Sequence, residues 1–524
     1  MEQTNYEPPK KDYRKETLDF IDHFEVYGIA TILYGLLYCF CIYRNYSGVM
    51  VSVLAVGSIA LFLFCLKKLE VPFKKSNCFY FIGIVLASVS NFLTDNGVMI
   101  FLNYCLILFL ILLSLLNQYY ATLHWTFSKF LSASLNLAFL SLGNTHYPFV
   151  SMVRFQKKDS DKKSNVFYPI FIGFVIALPL AILVIVLLSS ADAIFESIFR
   201  NILPKDTTIL DFFGIIITFI IGSFGAYNLL SYSHEKNITE IEKDAKQANP
   251  IIAITFTSII SIIYFLFSAI QLCYLFFNNL SLPEGYNYSE YAREGFYQLL
   301  FVCLINLFLV LICLKCFQDH KVLKALLLFI TISTYIMNAS ALFRMIMYIQ
   351  EYALTFLRVF VLWSLLVIFL VLTGIVIHIL NKNFPLFQYV CVCITLCYLI
   401  LSFSKPDYYI ALYNLKDYNA EDYVNTYSSN NRNCDVEYLY NLSLDATPAL
   451  VTKSVLKNDY DPNKLSDNWY DSNPISSETD YYDKINRKYT KITFRTYNYS
   501  RVRAYELTKD KFKKHFDGIH DTNR

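Results

Sequence analysis

The sequence predicts an all-α protein: a polytopic transmembrane bundle of about eleven spanning helices with a small, mostly helical C-terminal domain outside the bilayer. Three observations predict it. Val98–Leu116, Ile170–Leu188 and Ile251–Phe277 are long runs without a charge, and a helix needs roughly 20 apolar residues to cross hydrocarbon. Backbone groups find no water inside a bilayer, so a crossing segment is either a helix or part of a closed barrel. Barrel strands alternate in polarity, and these runs do not.

Met1–Glu25 is polar and mixed in charge, without the apolar core of a cleavable signal peptide. Spans are expected at Val26–Tyr43, Gly48–Leu66, Cys78–Leu93 and Gly97–Leu116. At the start of His124–Val150, Phe127, Leu131 and Leu135 continue from Leu123 at intervals of four residues among Ser and Lys129. That spacing predicts an amphipathic helix in the membrane interface, the alternative being a short hairpin that dips into the membrane. A basic loop with Lys157, Lys158, Lys162 and Lys163 follows.

Val166–Leu188 is the fifth span, and its Pro179 marks a kink. Ile209–Leu230, Ile251–Phe277, Phe296–Leu314, Val322–Phe343, Val359–Leu380 and Phe384–Phe403 complete the set. The chain thus divides into a cytoplasmic segment 1–25, four helices over 26–117, an interfacial helix and basic loop over 118–165, a transmembrane core over 166–403 and an extracytoplasmic domain over 404–524.

Lys and Arg placement orients these spans. With the N-terminus cytoplasmic, inner loops hold Lys10, Lys11, Lys67, Lys68, Lys74, Lys75, the basic loop before Val166, Lys236, Lys243, Lys246, Lys315, Lys321, Lys324 and Lys382. Outer loops hold only Arg44, Arg200, Lys205, Arg293, Arg344 and Arg358. An odd number of spans then puts the tail outside a cell membrane. In that tail, acids outnumber bases from Lys416 to Asp483, and bases outnumber acids from Lys484 to Lys514. Either two helical faces complement one another, or the basic end lies on anionic lipid headgroups or an anionic envelope polymer.

The net charge of +3 is too small to imply a polyanionic partner, and no basic–aromatic surface points to nucleic acid. Of thirteen Cys, only Cys434 lies in the tail, so no disulfide framework is implied there. Cys313 and Cys316 have metal or redox spacing but no second pair, and a structural role is expected. Asn91, Asn103, Gln271, Asn306, Asn338 and His378 are polar positions inside spans, expected to bond helix to helix. No metal site, cofactor site or catalytic motif is present in the sequence pattern.

Charged groups gather instead at the expected outer boundary: Asp192, Glu196, Glu290, Arg293, Glu294, Arg344, Glu351 and Arg358. Glu290, Arg293 and Glu294 share one helical face. Arg344, Glu351 and Arg358 are seven apart, and Met345–Phe356 is expected as a separate helix at the interface. These groups either staple helix ends to one another or line an outward cavity whose arginines grip an anionic headgroup.

Three stretches carry a resemblance. They are Ala177-Leu178-Pro179 with Leu188–Phe195, then Tyr288–Phe296, and then Ser340–Met345 with Tyr348 and Tyr352–Arg358. Tyr438-Leu439 and Leu442–Leu450 in the tail join them. Together they resemble a bacterial membrane family catalogued as domain of unknown function 4173, with its 4153 relatives. The resemblance implies a bacterial membrane location and a shared architecture, without activity, substrate or cofactor. The family has Gly where this chain has Ala353, implying that no positive φ is needed there. Three function classes follow: a non-enzymatic envelope-associated sensor or scaffold, which the tail and the lack of catalytic motifs favour; a solute transporter; and a membrane-embedded enzyme acting on an anionic lipid-linked substrate.

Overall fold

Among the described residues, eleven helices make up the largely apolar part of the chain's computed structural model. The structure describes residues 23–120, 122, 125–143, 145–151, 209–234, 248–277, 288–416, 436–453, 455–456 and 478–521, with isolated positions between 173 and 188. The helices are α1 (Phe24–Ile42), α2 (Met50–Lys68), α3 (Asn77–Leu93), α4 (Gly97–Tyr119), α5 (Phe127–Gly143), α6 (Ile209–His234), α7 (Pro250–Phe277), α8 (Tyr288–Cys316), α9 (Lys321–Tyr352), α10 (Phe356–Leu380) and α11 (Leu386–Phe403). More polar helices follow: α12 (Pro406–Asn414), α13 (Val436–Asn441), α14 (Thr447–Thr452), α15 (Glu478–Thr490) and α16 (Tyr499–Asp521). No strand forms among the described residues.

Eight of these helices, α2, α4 and α6 to α11, are long and apolar enough to cross a membrane, and α1 and α3 are shorter apolar helices. The expected span Val166–Leu188 and the loop holding Asp192 lie outside the described residues. The all-α polytopic expectation is met. Helix α7 shows which solvent surrounds it: Ile259, Ile262, Ile263, Phe265, Leu266 and Ile270 are each 58–63% exposed. A face that apolar is at home against lipid and would be costly in water.

The chain packs as two compact units. The first holds residues 1–85, 108–121 and 132–239, and the second holds 86–107, 122–131 and 240–524. In the first, small residues let α1 and α6 approach: a Cβ on Gly35 would fall 1.7 Å from Ser223 Oγ, and one on Gly222 would fall 2.8 Å from Tyr38. Close small-residue contacts are what hold helices together where no hydrophobic effect operates between them. At one end of this pair, Tyr43 donates to Asp211 at 2.9 Å, and Arg44 forms an ion pair with the same carboxylate.

In the second unit, the mid-span amides bond helix to helix as their sequence positions predict, whereas His378 bonds the loop that follows its own helix. Asn103 on α4 donates to Asn91 on α3 at 3.0 Å and accepts from Tyr398 at 2.9 Å and Ser402 at 3.0 Å on α11. Asn306 on α8 accepts from Tyr264 at 2.5 Å and donates to Thr334 at 3.0 Å. Ser340 donates to Gln271 at 2.7 Å, and Asn338 donates to the Leu365 carbonyl at 3.1 Å. His378 pairs its ring with the Phe384 carbonyl at 3.1 Å.

One element differs from expectation. Met345–Phe356 is not a separate interfacial helix: α9 runs unbroken for 32 residues through Arg344 and Glu351. At about 1.5 Å per residue it is longer than the hydrocarbon is thick, so it projects beyond it before turning. The chain reverses over residues 353–355, leaving Arg358 on α10.

Replacing Asn103 with Leu removes the acceptor of Tyr398 and Ser402 together. The expected loss is about 1–2 kcal/mol, since single intramembrane hydrogen bonds are worth less than that individually. Thermal unfolding of the purified protein in detergent measures it, and an unchanged midpoint would mean that the bonds carry no net stability.

Candidate functional site

Buried charge in the second unit meets where α3 turns into α4 and α11 runs into the C-terminal helices, close to the turn from α9 to α10. The turn Thr94–Asn96 is its centre. Asn96 caps α4, its Oδ1 accepting from Val98 N at 2.9 Å and Met99 N at 3.1 Å, the ordinary use of Asn at a helix start. Its amide also donates to Asp407 at 2.9 Å.

Asp95 is the pivot. Its side chain is fully buried and meets two cations from the far end of the chain: Lys488 on α15 at 2.6 Å and Arg501 on α16 at 2.7 Å. Burial pushes this carboxyl up, but the two positive charges outweigh burial and hold it below the usual carboxylate range.

Asp445 lies beside it and is also buried, accepting from the hydroxyls of Thr94 and Ser500 and, at 3.3 Å, from the Asp95 backbone N–H. Among the described residues no cation forms an ion pair with it, and burial raises its pKa despite those hydroxyl bonds. Asp407 accepts from Asn96 and, at 3.0 Å, from the Ser443 N–H, while its Oδ1 has no hydrogen-bond partner. Lys484 completes the cluster, donating to the carbonyls of Tyr440 at 3.3 Å and Leu442 at 2.6 Å. Burial, with repulsion from Lys488, lowers its pKa to about 8. Chemically, the junction is a carboxylate held ionised between two cations and a second carboxyl held toward its neutral form.

A tightly determined turn adjoins it. Ala353 takes φ 67° and ψ −179°, a region nearly reserved for Gly. The expectation that no positive φ is needed there is therefore overturned. Neighbours hold the strained turn in place. Arg358 donates to the carbonyls of Tyr352 at 2.7 Å and of Ala353, and its guanidinium lies 4.2 Å over the Tyr348 ring. Asn414 brackets Leu354, accepting from its N–H at 2.8 Å and donating to its carbonyl at 2.9 Å. Tyr438 accepts from Phe356 N at 3.1 Å. Leu354, Phe356 and Val359 pack against the apolar core of the C-terminal helices, around Leu439, Leu450 and Tyr481.

Of the outer cluster read from sequence, Arg344 and Arg358 have described side chains. Arg344 is buried, 8% exposed, against Gly295, where a Cβ would fall 1.8 Å from its guanidinium. Glu290, Arg293 and Glu294 lie on α8 and Glu351 on α9, all described by backbone alone, and Asp192 lies outside the described residues. The sequence reading missed Asp95, Asp407 and Asp445. For Asp95 and Asp407 the signal was position, an acid just past an apolar run, which is common at any loop; Asp445 lay within the resembling stretch Leu442–Leu450 but carried no sign of a charge partner. Among the described residues no His, Cys, Asp and Glu group has metal-binding geometry. In the first unit, an apolar cavity of about 250 Å³ lies among Tyr34, Tyr38, Phe62, Leu115 and Gly222.

Three substitutions test this geometry. Asp95→Asn leaves Lys488 and Arg501 without their counter-charge. It is expected to loosen the C-terminal helices by about 3 kcal/mol, the low end for a broken buried pair, because both cations stay partly in water. Protease sensitivity of residues 404–524 measures this. In wild type the same contribution is present above the ordinary Asp pKa and fades as pH falls through the lowered folded value. Asp445 acts in the opposite sense, so Asp445→Asn removes a penalty that grows as pH rises above the ordinary Asp range. Ala353→Gly relieves backbone strain and is expected to raise stability by about 1 kcal/mol; a lower melting midpoint would contradict it.

The family model described as a domain of unknown function, DUF4153, matches residues 81–452. That span includes Asp95, Asp407, Asp445 and Ala353, whereas Lys488 and Arg501 lie beyond it. No curated protein and no solved structure matches the chain. Matched over well more than half its length, the chain belongs to the DUF4153 family.

Proposed function

We propose that this chain is a non-enzymatic scaffold or sensor of a bacterial cell envelope. In this reading the N-terminus is cytoplasmic, and the C-terminal helices lie on the extracytoplasmic face of the cell membrane. One observation carries the proposal: Asp95, in a turn between membrane helices, is held by Lys488 and Arg501 of the C-terminal helices. A domain wired by buried charge to the ends of membrane helices cannot shift without disturbing them. This is the coupling a sensor or scaffold needs. The excess of Lys and Arg in the loops on the opposite side supports the orientation. The motifs at Tyr288–Phe296 and Ser340–Arg358 support kinship with the family catalogued as domain of unknown function 4173.

Two measurements test this. Cys434, alone among the cysteines in the tail, is expected to react with a membrane-impermeant maleimide on intact cells, and Cys434→Ser to abolish the signal. Labelling only after permeabilisation would place the tail in the cytoplasm and overturn the orientation. In cells, Asp95→Asn is expected to reproduce the deletion phenotype while lipid and envelope-polymer composition and solute uptake stay unchanged. A changed lipid or polymer composition would replace this reading with an enzyme, and loss of uptake of one solute would replace it with a transporter.

A further inference from the structure

Between α15 and α16 the chain forms a hairpin tip, Lys491-Ile492-Thr493-Phe494-Arg495-Thr496-Tyr497-Asn498. Its depth relative to the membrane helices is fixed by flanking contacts. Asn498 donates to the carbonyls of Thr94 at 2.8 Å and Asn91 at 3.5 Å, at the last turn of α3. Lys488 on one side of the tip and Arg501 on the other both grip Asp95. Helix α4, which starts two residues beyond Asp95, is one of the membrane-crossing candidates. The tip therefore lies level with the ends of the membrane helices, where hydrocarbon gives way to headgroups.

The tip's own hydrogen bonding turns inward. Thr493 N donates to Thr496 Oγ1 at 2.8 Å, and that hydroxyl donates to the Lys491 carbonyl at 3.2 Å. With its polar groups turned on each other, the tip presents Phe494 at its crest. Phe494 is 82% exposed, more than any other large apolar side chain described. Other highly exposed apolar side chains, such as Leu380 and Ile400 at 71%, lie on membrane helices with lipid as their solvent. Phe494 has no helix around it, yet it stands at the same boundary.

Its neighbours have the composition of an interfacial belt. Tyr497 and Tyr499 are 38% and 36% exposed. The Lys405 ammonium lies 4.9 Å and the Arg503 guanidinium 5.9 Å from the centre of the Tyr499 ring, and Lys491 is exposed beside them. Aromatic rings with a polar edge collect at headgroup depth, and long basic side chains reach from there to phosphates. Charge alone does not define this surface, because Lys484, Arg487, Lys488 and Arg501 are committed to internal partners.

We propose that residues 491–499 are a bilayer anchor. Phe494 inserts among the upper acyl chains of the membrane that holds α4. Tyr497 and Tyr499 sit at headgroup level, and Lys491 and Arg503 face lipid phosphate. The occupant is lipid, and the inference does not depend on which side of the membrane the tail occupies.

The test uses the full-length protein in nanodiscs of phosphatidylcholine and phosphatidylglycerol, with Phe494→Trp compared against wild type. The three native Trp supply the background, and an unchanged melting midpoint shows that the variant folds. The added emission is expected to be blue-shifted and quenched about twofold by lipids brominated high on the acyl chain, and less by lipids brominated near its end. Red, water-like emission that brominated lipid leaves unquenched would overturn the anchor. Blue-shifted emission that brominated lipid does not quench, and that appears only with two or more copies per disc, would also overturn it, in favour of contact between copies.

Discussion

The second unit depends on a charge that cannot stand alone. Asp95 is buried at the end of an apolar helix, and an isolated carboxylate there would cost several kcal/mol of lost hydration. Among the described residues, Lys488 and Arg501, 393 and 406 residues further along the chain, neutralise it. Once they are in place, the rest of the junction follows. Asn498 reaches the α3 carbonyls, Ser500 reaches Asp445, and the α15–α16 hairpin has one orientation. A buried ion pair of this kind contributes less to raw stability than to register, because partial alternatives leave a naked charge inside.

The membrane helices follow a different rule. Between lipid-exposed helices no hydrophobic effect favours contact, since lipid tails are as apolar as Leu. Asn103, Asn306, Asn338 and Gln271 therefore do the specifying, each bonded to another helix. Each amide has one good arrangement of partners, which fixes the rotation of its helix as packing of Leu and Ile alone would not. Gly295 does the same by absence: without a Cβ it leaves room for the buried Arg344 guanidinium.

Strain at Ala353 is tolerated because its surroundings leave no alternative. Arg358 binds the carbonyls before it, Asn414 brackets Leu354, and Tyr438 accepts from Phe356. Relaxing the backbone would break several bonds to regain what one unfavourable φ costs. The arginine noticed in the sequence as a possible anion ligand is thus already occupied with carbonyl oxygens and the Tyr348 ring. Spacing could show that Arg344, Glu351 and Arg358 recur every seven residues. It could not show that one unbroken helix carries the first two.

The helices, their apolar spans and the helix-to-helix role of the buried amides were determined by the sequence itself. Each depends on local composition and on the demand that backbone and amide groups be satisfied within hydrocarbon. The common end of the Asp95 turn, the Ala353 turn and the tail was also legible, because alternating spans put them there. Which charge meets which was not. Asp95, Asp407 and Asp445 read as ordinary loop acids, and Lys488 and Arg501 read as part of a basic surface. Their pairing requires residues some four hundred positions apart to be brought within 3 Å, and no local pattern encodes that distance. Tertiary structure alone decided it, because only the assembled junction excludes the water that would otherwise have made each of those charges content on its own.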